Sequence, residues 1–269
     1  MAEPNNRVAE PDDRVAEPGD RPAEPGERVA GPSPAHACSF GTAAERYDRY
    51  RPTYAIPAVV WALGEKPLRV LDLGAGTGIL SRLVQRLGHE VVAVEPDDRM
   101  RERLVEASPG ITALAGAAED IPLPAESVDA VVAGQAYHWF DPERAHPEIA
   151  RVLRPGGVFA ALWNDPDPAT PWTVRYTEII DGPITLRPAP DFGPSFTTTT
   201  RCDFRHQVWM TPEDLVAMAT TRSPYLVATE PERARLVADI RALMVAAGLA
   251  DCERFPMPHI TRVHRAYRK

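Results

Sequence analysis

The run VLDLGAGTGIL, Val70 to Leu80, followed by HEVVAVE ending at Glu95, constrains the fold more than any other part of this chain. A short apolar run around Leu71 reads as a buried strand, and Gly74, Gly76 and Gly78 make the turn that follows it. A helical pattern over 78–88 and a second apolar strand over 90–95 complete a strand–turn–helix–strand unit that ends in an acid. Such a unit lays a nucleoside ligand across the carboxyl ends of a parallel sheet. Glycine at positions 74 and 76 lets the backbone turn sharply and approach the ligand closely. Glu95 follows Gly76 by 95 − 76 = 19 residues, near the roughly 20 at which an acid meets ribose hydroxyls in this arrangement. A carboxylate there accepts from both the 2′ and 3′ hydroxyls. A dinucleotide turn, G-x-G-x-x-G, needs a third glycine where this chain has Ile79.

The alternation continues beyond this unit. Strand 69–73, helix 78–88, strand 90–95, helix 97–107, a short strand 111–114, strand 128–133, helix 142–152 and strand 157–163 are expected, with Arg154-Pro155-Gly156-Gly157 stopping the last helix. Alternating strands and helices imply a parallel sheet covered on both faces. Two helices around the Arg51-Pro52 break precede it, AAERYDRYRPTY and IPAVVWALG. After a proline- and threonine-rich lapse from Asn164 to about Thr200, interrupted by one possible helix at 173–180, regular signals return. CDFRHQVWM reads as a strand; Thr211 and Thr229 each open a helix in capping-box form, the second ended by Gly248; RFPMPHITRVHRAY closes the chain as a strand.

Residues 1–39 differ in kind. AEPNNRV, AEPDDRV, AEPGDRP and AEPGERV repeat with period seven, yet each repeat holds a helix-breaking proline and too little apolar surface for a coiled coil or a solenoid. A disordered, partly polyproline-II tail is expected, followed by one domain over 40–269. That domain divides into a core at about 68–163 and lid and acceptor elements at 40–63 and 164–253.

The G-x-G-x-G turn with Asp72 two residues before it resembles the first motif of class I S-adenosylmethionine-dependent methyltransferases, whose cofactor carries no phosphate. GAAEDIPLPAESVDAVVAGQAYHWFD, 116–141, resembles the second and third motifs. Together with YDRYRPTY and LRPGGVFAALWN, the phrase QAYHWF resembles the type 11 branch related to trans-aconitate methyltransferase, from about Phe40 to Tyr267 and most strongly through Phe159. Ala55, in place of a proline, and Ala117, in place of an acid that accepts from the adenine amino group, depart from the family form. The long proline-rich stretch at 181–200 is a third departure.

The resemblance implies a doubly wound, mostly parallel seven-stranded α/β sheet with an antiparallel edge, and in-line transfer of a methyl group from S-adenosylmethionine to a small-molecule acceptor. It places Asp72, Gly74, Gly76, Glu95, Ala118, Glu119, Gln135 and Arg51 at the cofactor. Asp72 orients the ammonium group or braces the loop, and Ala118 with Glu119 beside it meets the adenine edge. Arg51 has three readings: the cofactor carboxylate, an acidic acceptor, or a surface ion pair. His138 is a general base or a residue that lines the methionine pocket or pins its loop. Tyr50, Trp139 and Trp163 form an acceptor wall or pack in the core.

Composition narrows the alternatives. Of the net charge of −8, eight acids and four bases in residues 1–35 account for −4, and the remainder is no match for nucleic acid or an anionic membrane. Cys38, Cys202 and Cys252 lack disulfide or zinc spacing, and the histidines lack metal-ligand partners. No apolar run approaches the ~18 residues of a membrane span and no signal peptide opens the chain, so a cytoplasmic protein without nucleic-acid or membrane partner is expected. Two other functions stay open: a cofactor-binding regulatory or interaction protein without turnover, and a nicotinamide-dependent oxidoreductase.

Overall fold

A computed structural model of the protein describes residues 43–183 and 189–269. The repeat tail, the start of order near Phe40 and five residues of the proline-rich stretch lie outside them. In chain order the elements are α1 (Ala44–Tyr50), α2 (Ile56–Leu63), β1 (Arg69–Leu73), α3 (Ile79–Arg86), β2 (Glu90–Val94), α4 (Asp98–Ala107), β3 (Thr112–Leu114) and β4 (Val128–Gly134). A 3-10 turn (Tyr137–Trp139) follows, then α5 (Pro142–Val152), β5 (Leu153–Pro166), α6 (Pro171–Asp181), β6 (Thr200–Met210), α7 (Pro212–Ala219), α8 (Ser223–Val227), α9 (Glu230–Ala246) and β7 (Phe255–Tyr267).

The seven strands form one sheet in the order β3-β2-β1-β4-β5-β7-β6. Neighbours from β3 to β5 are parallel, whereas β7 runs antiparallel to both β5 and β6. The last two strands are therefore the expected antiparallel edge, with β7 inside and β6 outside.

Successive residues of β1 point to opposite faces, so each face gathers its own core. Val70, Ala93, Val132 and Leu162 pack with Leu80, Leu83 and Val84 of α3 and Ala58, Val59 and Leu63 of α2. Leu71, Leu73, Val131 and Phe159 pack on the other side with Ile149 and Val152 of α5. Burial on both faces is why these strands read as unbroken apolar runs. A third cluster, Tyr176, Ile180, Leu215, Met218, Ile240, Met244 and Met257, joins α6, α7 and α9 to the start of β7.

Helix starts follow the expected chemistry. The Asp97 carboxylate accepts from Met100 N at the head of α4. Thr211 and Asp214 form a reciprocal capping box on α7. Two features differ from expectation. β5 begins at Leu153, directly after α5, because Val128 pairs Leu153 while Ala130 already pairs Val158. The Arg154–Gly157 turn is thus a bulge inside a strand, with Gly156 at φ +76° supplying the left-handed residue. The five-residue α8 was not anticipated, since so short a helix shows no period. Among the described residues no helix is long and apolar enough to cross a membrane.

Candidate cofactor site

A cavity of about 230 Å³ opens at the carboxyl ends of β1, β2 and β4, where backbone connections diverge. Asp72, Gly74, Gly76, Glu95, Ala118, Glu119, Gln135, Arg51 and Trp139 all line it. Their convergence follows from the topology: each group sits at, or just after, the end of a neighbouring strand, or on the connector between α1 and α2.

The glycine turn is built by backbone bonds. Gly74 N and Ala75 N both donate to Val94 O of the neighbouring strand, at 2.9 and 3.1 Å. Gly74 holds φ +69°, and a Cβ there would stand 2.7 Å from the Ala136 Cβ. Gly76, at φ +57°, has no atom within 4 Å of where its Cβ would be, so it leaves the floor of the cavity open.

Asp72 is almost fully buried at 1% exposure. Ser81 Oγ donates to its Oδ2 at 2.5 Å, while Oδ1 is buried with no hydrogen-bond partner. Burial raises its pKa to about 7; the Ser81 bonds oppose the rise and the nearby Glu95 charge adds to it. Glu95 binds the turn itself: Oε2 accepts from Gly76 N at 2.8 Å and Oε1 from Asp97 N at 2.9 Å. Burial raises its pKa against those two backbone bonds. Each oxygen retains a second lone pair.

Beyond β4, Gln135 has φ +56°, uncommon for a residue with a side chain. Its Nε2 donates to Asn164 O at 2.9 Å. Such left-handed residues concentrate at functional sites because their cost, on the order of 1 kcal/mol, is tolerated only where the surroundings impose them. Glu119 Oε1 accepts from the N–H of Asp141, the residue that caps α5, at 2.8 Å, so one of its oxygens is engaged there. Asp120, the acid next to it, is exposed.

Arg51 reaches the cavity from the opposite side. Its Nε donates to Thr221 Oγ1 at 2.9 Å and Nη2 to Thr221 O at 3.1 Å, with the guanidinium carbon 4.8 Å from the Tyr47 ring centre. Burial and the Arg222 charge lower its pKa, and the hydrogen bonds to Thr221 and the Tyr47 ring hold the group in place. It is the one basic residue among the described lining residues.

Three of the anticipated residues lie elsewhere. Trp163 is 8% exposed and stands edge-on to Tyr137 and His264, because its position on β5 points it into the core beneath the cavity. Tyr50 packs against the cluster of α6, α7 and α9, at the inner face of α1. His138 is half-buried in the 3-10 turn, its ring 5.1 Å from that of Trp139, and does not line the cavity. Tyr54 and Asn164 line it as well. Tyr54 Oη would meet a Cβ on Gly134 at 2.5 Å, so that glycine makes room for the ring. The phrase RPTY gave a signal for Tyr54; nothing local marks Asn164.

The residues present suit S-adenosylmethionine. An orphaned carboxylate oxygen on Asp72 matches an ammonium group, the free lone pairs of Glu95 match paired hydroxyls, and the open floor at Gly76 admits close approach.

Comparison with known proteins agrees with this geometry. Residues 71–161 match the family described as methyltransferase domain. An uncharacterized methyltransferase of Mycobacterium tuberculosis is 42% identical over 236 residues, spanning 85% of this chain and 95% of that protein. An uncharacterized methyltransferase-like protein of Schizosaccharomyces pombe is 32% identical, over 75% of this chain and 84% of its own length. A candidate type II methyltransferase from Anaeromyxobacter dehalogenans shares the fold, with a TM-score of 0.55 at 23% identity over 82% of this chain and 98% of that one.

Proposed function

This chain belongs to the methyltransferase family, and from that premise we propose that it methylates a small-molecule acceptor with S-adenosylmethionine held in the cavity above β1, β2 and β4. The observation that carries the proposal is the pairing of Asp72 with Glu95 across the glycine turn. One presents an unused carboxylate oxygen, and the other braces Gly76 while keeping lone pairs for a ligand. When bound, the cofactor supplies a methyl group already activated on sulfonium.

The chain's own residues would hold it. Asp72 takes the ammonium end, Gly74 and Gly76 the backbone approach, Glu95 the ribose hydroxyls, and Ala118, Glu119 and Gln135 the remaining edge of the cavity. Arg51 takes a carboxylate, of cofactor or acceptor. Tyr47, Tyr54, Trp139 and Phe140 line the cavity with aromatic surface and exclude water from it. Activation of the donor leaves orientation as the larger demand on the protein.

Calorimetry tests the cofactor assignment: S-adenosylhomocysteine is expected to bind at micromolar strength and NAD not to bind. The reverse would support the oxidoreductase alternative, and binding without turnover of any acceptor would favour a regulatory protein. Labelled methyl transfer into a metabolite extract from the native organism identifies the acceptor.

His138 packs on Trp139, a lining residue, without lining the cavity itself. His138→Ala is therefore expected to change turnover on an identified acceptor by less than about tenfold, below the roughly 10²–10⁴ that a general base contributes. A loss within that larger range, with S-adenosylhomocysteine affinity unchanged, would restore the general-base assignment.

A further inference from the structure

Asn164, near the end of β5, is buried at 5% exposure and uses every hydrogen-bonding group of its side chain. Its Nδ2 donates to Thr53 O at 2.9 Å and Pro52 O at 3.4 Å. Its Oδ1 accepts from Thr261 Oγ1 at 3.0 Å and lies 2.8 Å from His206 Nε2. Two carbonyls on one side and a hydroxyl on the other admit only this orientation of the amide. Thr261 Oγ1 in turn accepts from Ala55 N at 3.0 Å. Three points of the connector between α1 and α2, Pro52 O, Thr53 O and Ala55 N, are thus tied to β5 and β7 through one asparagine and one threonine.

The same connector carries Arg51, Pro52 and Tyr54 to the cavity wall. Ala55 O caps α2, accepting from Ala58 N at 3.0 Å, but across Pro52–Tyr54 the described residues show no helical or sheet hydrogen bond, so the path there depends on these side chains. Its other fastenings lie at Arg51, on Thr221, and further back at Asp48, which pairs with Arg82 and Arg103. Neither bonds to the Pro52–Ala55 stretch directly; Tyr54 and Ala55 are buried in the core beside α2 and α3, and that packing is non-directional where the bonds to Asn164 and Thr261 fix the path.

We propose that Asn164 is a positioning residue that latches the Pro52–Ala55 connector over the cavity and so sets how long the cofactor is retained. The inference rests on the cofactor reading above. Asn164→Asp keeps the shape and the acceptor toward Thr261 but turns a carboxylate oxygen on the two carbonyls, and so releases the connector. Thr261→Val removes the tie to Ala55 N, and Thr261→Ser keeps a hydroxyl there.

Stopped-flow displacement of S-adenosylhomocysteine and amide exchange test the latch in the full chain. Asn164→Asp and Thr261→Val are expected to speed release by about tenfold or more without slowing association, and Thr261→Ser to restore the unaltered rate. Exchange should quicken at Thr53, Tyr54 and Ala55 while β5 and β7 keep their protection. Unchanged release in both variants, or quickened exchange spread through β5 and β7, would overturn the proposal; if Asn164→Asp does not fold, the Thr261 pair decides it. If the unaltered protein fails to bind S-adenosylhomocysteine, the cofactor reading falls by itself. Exchange at the connector then still decides whether Asn164 is the latch.

Discussion

Asp72→Asn is expected to stabilise the free protein above pH 7 and, at the same pH, to weaken its binding of S-adenosylhomocysteine. The carboxyl is 1% exposed and its pKa is raised from 3.8 to about 7, chiefly by burial. A folded-state value above the unfolded one means that the native protein binds more protons between these two limits. Stability therefore falls as pH rises from about 4 through about 7, and the full penalty stands above 7. At about 1.36 kcal/mol for each pH unit, that penalty is on the order of 4 kcal/mol. Asparagine carries no charge to desolvate and still bonds Ser81.

The penalty is what the site holds ready for a cationic ligand. An ammonium group beside Asp72 favours the ionised form and relieves the orphaned oxygen, so affinity for S-adenosylhomocysteine should rise with pH through about 7 in the unaltered protein. Loss of one such charge-assisted bond, worth about 1.5–3 kcal/mol, predicts a Kd raised by roughly tenfold to a hundredfold in the variant. Thermal melts of both proteins from pH 4 to 8, followed by calorimetry at pH 8, measure the two halves. Parallel melting curves across that range would remove the buried-acid argument.

Glu95→Ala is expected to raise the Kd for S-adenosylhomocysteine by roughly a hundredfold or more, since two hydrogen bonds from ribose to a charged acceptor are lost together. The structure adds a second cause. Glu95 also accepts from Gly76 N and Asp97 N, so alanine frees the glycine turn and leaves two backbone donors without their partner. Stability should fall by about 1–3 kcal/mol, because the freed donors can reach water through the open cavity only in part. Glu95→Gln separates the contributions. Its amide oxygen keeps one backbone bond, so it should retain more stability than alanine while still losing the charged acceptor. An alanine variant that binds as tightly as the unaltered protein would show that Glu95 serves the turn alone.

Much of this arrangement was legible from residues 69–95. Apolar runs bounded by glycines set the first strand, turn, helix and strand, and all four stand within two residues of expectation. The capping box at Thr211 and Asp214 was equally readable, because a cap is a local interaction across three residues. β5 was harder. Arg154-Pro155-Gly156-Gly157 carries a strong stop signal, and only pairing with Val128 makes it a bulge within the strand. Trp163 shows the same limit, since alternation along a strand does not say which face becomes core and which approaches a cavity.

Local order in the chain was thus enough to determine the α/β architecture, the glycine turn and the acids that border it. These features depend on apolar period, on backbone freedom at glycine and on the fixed length of a helix between two strands. Tertiary structure alone decided the electrostatic state of Asp72, the double duty of Glu95 and the fastening of the Pro52–Ala55 connector by Asn164. Burial, orphaned lone pairs and bonds between residues 111 apart in the chain arise only when distant strands close on one another. No spacing in the sequence encodes them, because each is set by what the rest of the fold brings alongside.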